Sequence, residues 1–191
     1  MNTIVTSKEE ILGKSRELIR EKGWTAINIR SVAGACGVAV GSIYNYFGSK
    51  DELMAAIVES VWQDIFHPSE FAEGFASAEG FADTLACVRW LYQRIEVGTR
   101  EYPGLSTLHP MVLAGSSRSD GKKRMAQAWD HILGGLCMVL KKDPQVRPDA
   151  FTEKFTEENF ADLLFSLMVA TLVRENFDCG PVLELVRRTV Y

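Results

Sequence analysis

Apolar residues recur at helical spacing along most of the chain, and the breaks between runs are marked by glycine, proline and capping residues. Ile11, Leu12, Ser15, Leu18 and Ile19 form the first stripe, opened by the S-x-x-E capping box of Ser7 and Glu10 and closed by Gly23. Acidic Glu9 and Glu10 near its start and basic Arg20 and Lys22 near its end suit the helix dipole. Trp24 and Ile27 are expected to seal a small core behind it. Ile29, Val32, Ala33 and Cys36 then follow at i, i+3, i+4 and i+7, with Asn28 as N-cap and Gly37 where a left-handed residue ends a helix. Ile43 and Phe47, four apart, predict a second short helix directly after it.

Two short helices joined by a turn containing glycine have the form of a helix-turn-helix. Ala33, four before Gly37, is small where the helices approach most closely, and Ile43 is placed to fill the gap between them. Val40, Ser42, Asn45 and Tyr46 then point away from that core. This face is short of charge, yet it combines apolar groups that can meet a thymine methyl with polar groups that can reach base edges or phosphates. The competing reading, a helical hairpin in a bundle core, gains nothing from an exposed tyrosine and asparagine there.

After Gly48, a second capping box (Ser49 and Glu52) opens a helix carried by Leu53, Ile57, Val61 and Ile65 down to Pro68, with Lys50 in its first turn beside the groove-facing helix. Residues 68–80 are Ala/Gly-rich and read as a loop. Phe81, Leu85, Val88, Tyr92 and Ile95 mark a helix closed by Gly98 and Pro103-Gly104, and Leu105 to Leu113 is a shorter apolar piece broken by Pro110. Gly115 to Gly121 reads as a loop. Met125 to Leu140 and Phe160 to Leu172 predict two long helices, the second stopped by Cys179-Gly180-Pro181, and Val182 to Val190 predict a short terminal one. No strand alternation appears. The expected fold is all-α, with an N-terminal three-helix DNA-binding domain over 1–48 and a helical effector-binding and dimerisation domain over 49–191.

Composition narrows the function. At 191 residues, 47% hydrophobic and 24% charged, the chain is ordinary globular material. The longest apolar run, Phe165 to Val173, is too short to span a bilayer, and there is no signal-like N-terminus. Four scattered cysteines without a C-x-x-C pair read as reduced thiols of a cytoplasmic protein. The net charge of −4 divides into +3 over residues 1–50 (seven basic, four acidic) and −7 over 51–191 (fourteen basic, twenty-one acidic). A basic head on an acidic body suits a protein whose head alone meets phosphates. Gly13-Lys14-Ser15 echoes the end of a phosphate-binding loop, but Lys8 stands where that motif needs glycine and no strand precedes it.

The span from Ser7 to about Ile57 resembles the N-terminal domain of the TetR family of bacterial transcriptional regulators. The likeness lies in the amphipathic first helix and in Gly37, Val38, Gly41, Ser42, Ile43, Tyr44, Tyr46, Phe47, Ser49, Lys50, Glu52 and Leu53. It implies a homodimer that binds a palindromic operator in double-stranded DNA, as a repressor released by a small-molecule effector. Its DNA contacts would fall on Asn28, Arg30, Ala39, Val40, Gly41, Ser42, Tyr44, Asn45, Tyr46 and Lys50. Many members carry Ser followed by Lys or Arg at the start of the recognition helix; Ala39 and Val40 here shift sequence readout toward Arg30, Asn45 and DNA shape.

The dimer interface is expected on the two long helices, at Ile132, Leu136, Leu140, Leu164, Leu167 and Met168. Candidate effector-pocket residues are Trp62, Trp90, Leu108, His109, Met111, Trp129 and Phe165, with His131 able to orient a polar ligand group, although aromatic stripes at this spacing also serve as plain core. No metal-ligating cluster, cofactor motif or marked catalytic pair is present, so no enzymatic activity is expected. The rival readings are a small-molecule carrier or enzyme with a vestigial helix-turn-helix, and a protein-interaction adaptor.

Overall fold

The computed structural model describes residues 6–66, 81–106 and 119–191, the side chains of 119–128 excepted. These residues form eight α-helices and no named strand. The fold is all-α. Two compact units divide the chain: Met1–Asp64 with Gly98–Ala126, and Ile65–Val97 with Gln127–Tyr191. The division therefore falls within the helix that follows the helix-turn-helix rather than before it.

In the first unit, α1 (Lys8–Lys22) starts at Ser7, whose hydroxyl accepts the Glu10 N–H at 3.1 Å. Ile11, Ser15, Leu18 and Ile19 are its buried residues, and the Ser15 hydroxyl donates to the Ile11 carbonyl at 2.7 Å, which explains how a serine fits an apolar stripe. Gly23 ends it at φ +74°, and a 3-10 turn over Trp24–Ala26 follows with Trp24 and Ile27 buried. The Trp24 N–H donates to the Pro103 carbonyl at 3.0 Å.

Next, α2 (Ile29–Ala35) has a reciprocal cap. The Asn28 carboxamide oxygen accepts from the Arg30 and Ser31 N–H groups, both at 3.0 Å, and the Ser31 hydroxyl accepts the Asn28 N–H at 2.9 Å. Its end is a Schellman turn: Val38 N–H to Ala33 carbonyl at 3.0 Å and Gly37 N–H to Gly34 carbonyl at 3.1 Å, with Gly37 left-handed at φ +67°. Then α3 (Val40–Tyr44) and α4 (Lys50–Phe66) follow, the latter opened by Ser49, which accepts the Glu52 N–H at 3.1 Å. The Glu52 carboxylate reaches back one residue further, to the Gly48 N–H at 2.9 Å.

One carboxylate ties this unit together. Asp64, near the end of α4, accepts from Arg20 at 2.6 Å and from the Tyr102 hydroxyl at 2.5 Å, with Arg16 at 3.6 Å. The Arg20 guanidinium lies 4.7 Å from the centre of the buried Tyr102 ring. Burial, the hydrogen bond and the adjacent Asp64 charge all push the Tyr102 phenol well above its usual pKa.

The second unit is built on α5 (Thr84–Glu101), α6 (Ser119–Lys142), α7 (Glu157–Arg174) and α8 (Gly180–Val190), of which α5 and α6 also contribute an end each to the first unit. Its interior includes Cys87, Leu91, Tyr92, Leu136, Leu140, Phe160, Leu164, Met168 and Val186. Buried Asp143 accepts at one oxygen from the Thr84 N–H and hydroxyl, both at 2.7 Å, and from the Tyr191 hydroxyl at 2.5 Å, and at the other from the Gln145 N–H at 2.9 Å. Burial alone raises a carboxyl pKa, but these four hydrogen bonds outweigh it and hold Asp143 below the usual range. A Thr156/Asn159 capping box opens α7.

Several boundaries differ from expectation. Ser119, Asp120 and Gly121 open α6 instead of ending a loop. The stop of α7 is Glu175, left-handed at φ +50°, and Gly180-Pro181 begins α8, where the missing proline N–H costs no helical bond. The expected loop over 68–80 and most of the apolar piece at 105–113 lie outside the described residues. Five of the six expected interface residues, Ile132, Leu136, Leu140, Leu164 and Met168, are instead buried within the chain's own unit, where each helix needs an inward stripe before it can offer an outward one. Leu167 is 40% exposed, on a face of α7 with Leu163 at 52% and Val173 at 63%. No helix among the described residues is long and apolar enough to cross a membrane.

Candidate nucleic-acid interface

A helix of five residues has no stability of its own, because nucleation fixes several residues for very few hydrogen bonds. What holds α3 is burial: Ile43 within it and Phe47 beyond it are both interior, and buried Ala33 leaves room for α2 to pack close. With these residues inward, the others face out. Ala39, Gly41, Tyr44, Asn45 and Tyr46 are exposed, Val40 and Ser42 half-buried. No side chain caps the N-terminus of α3, and a methyl group built on Gly41 would meet nothing within 4 Å. That glycine is therefore not demanded by packing among the described residues.

The remaining expected contacts divide by what they already do. Asn28 is exposed, but its side-chain oxygen is committed to the α2 cap. Arg30, two residues on, and Lys50 in the first turn of α4 are exposed, and neither forms an ion pair among the described residues. Arg16 and Arg20 are held by Asp64, and Lys14 by Glu17 at 2.7 Å. Part of the positive charge of the head is therefore neutralised internally, while Arg30 in the first turn of α2 and Lys50 in the first turn of α4 lie on the helices either side of α3. Tyr46 is 37% exposed, yet its hydroxyl donates to the Thr6 carbonyl, while the Lys8 ammonium lies 5.3 Å from the centre of the Phe47 ring. Sequence reasoning missed both contacts, which join residues some forty positions apart. The Asp64 cluster left a partial trace: Arg16 and Arg20, four apart, share one face of α1.

The expected effector residues that are described fall in both units. Trp62 is buried on the first unit's part of α4. In the second unit, Trp90 packs against Phe81 (ring centres 5.6 Å apart) and Phe66 (6.3 Å), and Trp129 pairs with Phe165 at 5.4 Å. Leu108, His109 and Met111 lie outside the described residues. An open cleft of about 500 Å³, lined by Lys141, Arg147, Phe151 and Glu157 among others, involves none of these residues and was not foreseen. Among the described residues no group of three or more His, Cys, Asp or Glu could hold a metal ion.

Comparison with known proteins agrees with this geometry. Residues 11–57, which contain α2, α3 and most of α1, match the model for bacterial regulatory proteins of the tetR family. The HTH-type transcriptional repressor KstR2 of Rhodococcus jostii is 31% identical over 90 residues, 47% of this chain and 43% of that one, so the match spans less than half of that relative. The nucleoid occlusion factor SlmA of Haemophilus ducreyi is 24% identical over 84% of this chain and 77% of its own. The fold recurs in the transcriptional regulator FadR of Bacillus subtilis, solved in complex with stearoyl-CoA, with a TM-score of 0.68 at 16% identity over 97% of this chain and 100% of that one. Reduced NemR of E. coli gives a TM-score of 0.66 at 17% identity over 96% of each chain. Residues 11–57 thus match the helix-turn-helix region of the tetR family of bacterial regulatory proteins, and the all-α architecture of the described residues is shared with these solved regulators.

Proposed function

We propose that the chain is a cytoplasmic repressor that binds a palindromic operator as a homodimer and is released by a small molecule held in its C-terminal helical domain. One observation carries this reading: α3 is secured from beneath, by Ile43 and Phe47, while Gly41, Tyr44 and Asn45 stand uncovered on one side. Arg30 and Lys50 on the flanking helices supply the phosphate contacts that set register, and base edges are read by Asn45, Tyr44 and the groove shape.

A single head of this size covers too few base pairs for useful affinity, so two are required, one helical turn apart at about 34–36 Å. The exposed apolar side chains of Leu163, Leu167 and Val173 on α7 support self-association, because such groups are otherwise costly to leave in water. The FadR complex with stearoyl-CoA supports a small-molecule role for the helical body. Effector binding acts by population shift: it favours a dimer whose heads are out of register with successive grooves, and α4, whose residues belong to both units, is the covalent path. A tenfold loss of DNA affinity needs only about 1.4 kcal/mol of coupling.

The test is binding of the purified chain to the duplex upstream of its own gene against random duplex at moderate salt. Preference for the former is expected, and Tyr44→Ala should abolish it while leaving the oligomeric state unchanged. Equal binding to both duplexes would remove the repressor reading, and binding that survives Tyr44→Ala would mean that another element enters the groove.

A further inference from the structure

We infer that Tyr46 acts in DNA binding as a positioning residue, stapling the start of α1 to the exit of the recognition helix rather than touching DNA itself. The inference rests on the DNA-binding reading above and assigns one of its residues a different part. Tyr46 lies two positions past the end of α3, followed by buried Phe47. Its hydroxyl donates to the carbonyl of Thr6, a buried residue immediately before Ser7, the N-cap of α1. Beyond Ser7, the Lys8 ammonium sits over the Phe47 ring. Tyr46 and Phe47 thus hold the residues on both sides of the α1 cap.

A phenol has one proton to give. Tyr46 has already spent it on Thr6, so it has no donor left for a phosphate oxygen. Tyr44 differs: it is 47% exposed, and its hydroxyl makes no hydrogen bond among the described residues. Two tyrosines of one short segment therefore divide the work, Tyr44 offering a donor outward and Tyr46 fixing the backbone that carries it. The need for a staple follows from the exit itself, which past Tyr44 is held by only three short-range bonds: Asn45 N–H to Ser42 carbonyl at 3.3 Å, and Tyr46 and Phe47 N–H to Ile43 carbonyl at 3.0 and 3.1 Å. A segment that is loose in the free protein must be ordered on binding, and that ordering lowers affinity.

The experiment uses the full chain, with Tyr46→Phe and Tyr44→Phe each removing one oxygen. Affinity for the upstream duplex is read by fluorescence anisotropy, and amide hydrogen exchange is read on the DNA-free protein. Each variant is expected to bind about three- to tenfold more weakly, the usual worth of one hydrogen bond. Only Tyr46→Phe is expected to speed exchange at Glu10 and Ile11, whose N–H groups bond to Ser7. Weakened binding by Tyr46→Phe with exchange unchanged would overturn the inference in favour of a direct contact, and unchanged binding would overturn it outright. If the unmodified chain shows no preference for that duplex, the DNA-binding reading has failed first, and this inference falls with it.

Discussion

Replacing Gly41 with alanine should move stability and DNA binding in opposite directions. Gly41 is the second residue of α3, and the built methyl finds open space in the free protein. Nothing is displaced, and the unfolded chain loses backbone freedom. Alanine is worth up to about 1 kcal/mol over glycine inside a helix, and in so short a helix about half of that is reasonable. For a chain of this size, 0.5 kcal/mol corresponds to a rise in Tm of roughly 1–2 °C. Against DNA the same methyl is an intrusion. If Gly41 is glycine so that the α3 backbone can lie against the groove wall, the methyl overpacks a close contact at roughly 1–3 kcal/mol, or about 5- to 150-fold in affinity. Thermal unfolding and anisotropy with the upstream duplex measure the two effects on one sample. Unchanged binding would refute the reasoning, because the open side of Gly41 would then not face DNA. A lowered Tm would refute its premise that the space is empty.

Other perturbations test other parts of the structure. Asp64→Ala leaves the buried Tyr102 hydroxyl and two arginines without their acceptor; because the carboxylate is partly exposed, a loss of roughly 2 kcal/mol in urea unfolding is expected, with Asp64→Asn milder. Asp143 has its pKa lowered in the folded chain, so the stability it contributes is fully present above the ordinary carboxyl pKa of about 3.9 and is lost as pH falls through its lower folded value. Asp143→Asn should therefore be less stable at pH 7, and its deficit should narrow in acid, as urea midpoints against pH would report. Leu163→Asp places a charge on the exposed face of α7 and should yield a folded monomer by sedimentation; an unchanged oligomer would move the interface elsewhere.

Legibility tracked locality. The helix-turn-helix could be read because its determinants lie within a few residues of one another: Asn28 caps the next turn, Gly37 must be left-handed, and Ile43 and Phe47 share a face. What periodicity does not reveal is which of two apolar stripes a helix keeps for itself. Ile132, Leu136 and Leu164 were read as interface and are interior, whereas Leu163, one position from Leu164, is the exposed one. Long-range polar contacts were equally hidden. The Asp64 cluster joins residues up to 86 positions apart (Arg16 to Tyr102), and the pattern of either segment alone says nothing of its partner. Ends of helices misled where glycine and proline were read as a stop, since the same pair also serves as a start.

The division of the recognition segment into inward residues that secure it and outward ones that pack little has an evolutionary corollary. Exchanging Ala39, Val40, Ser42 or Asn45 leaves Ile43 and Phe47 in place, so the outer surface is free to drift toward a new target while the scaffold persists. Duplicated copies of such a gene could part company through a handful of codons, each intermediate still folding.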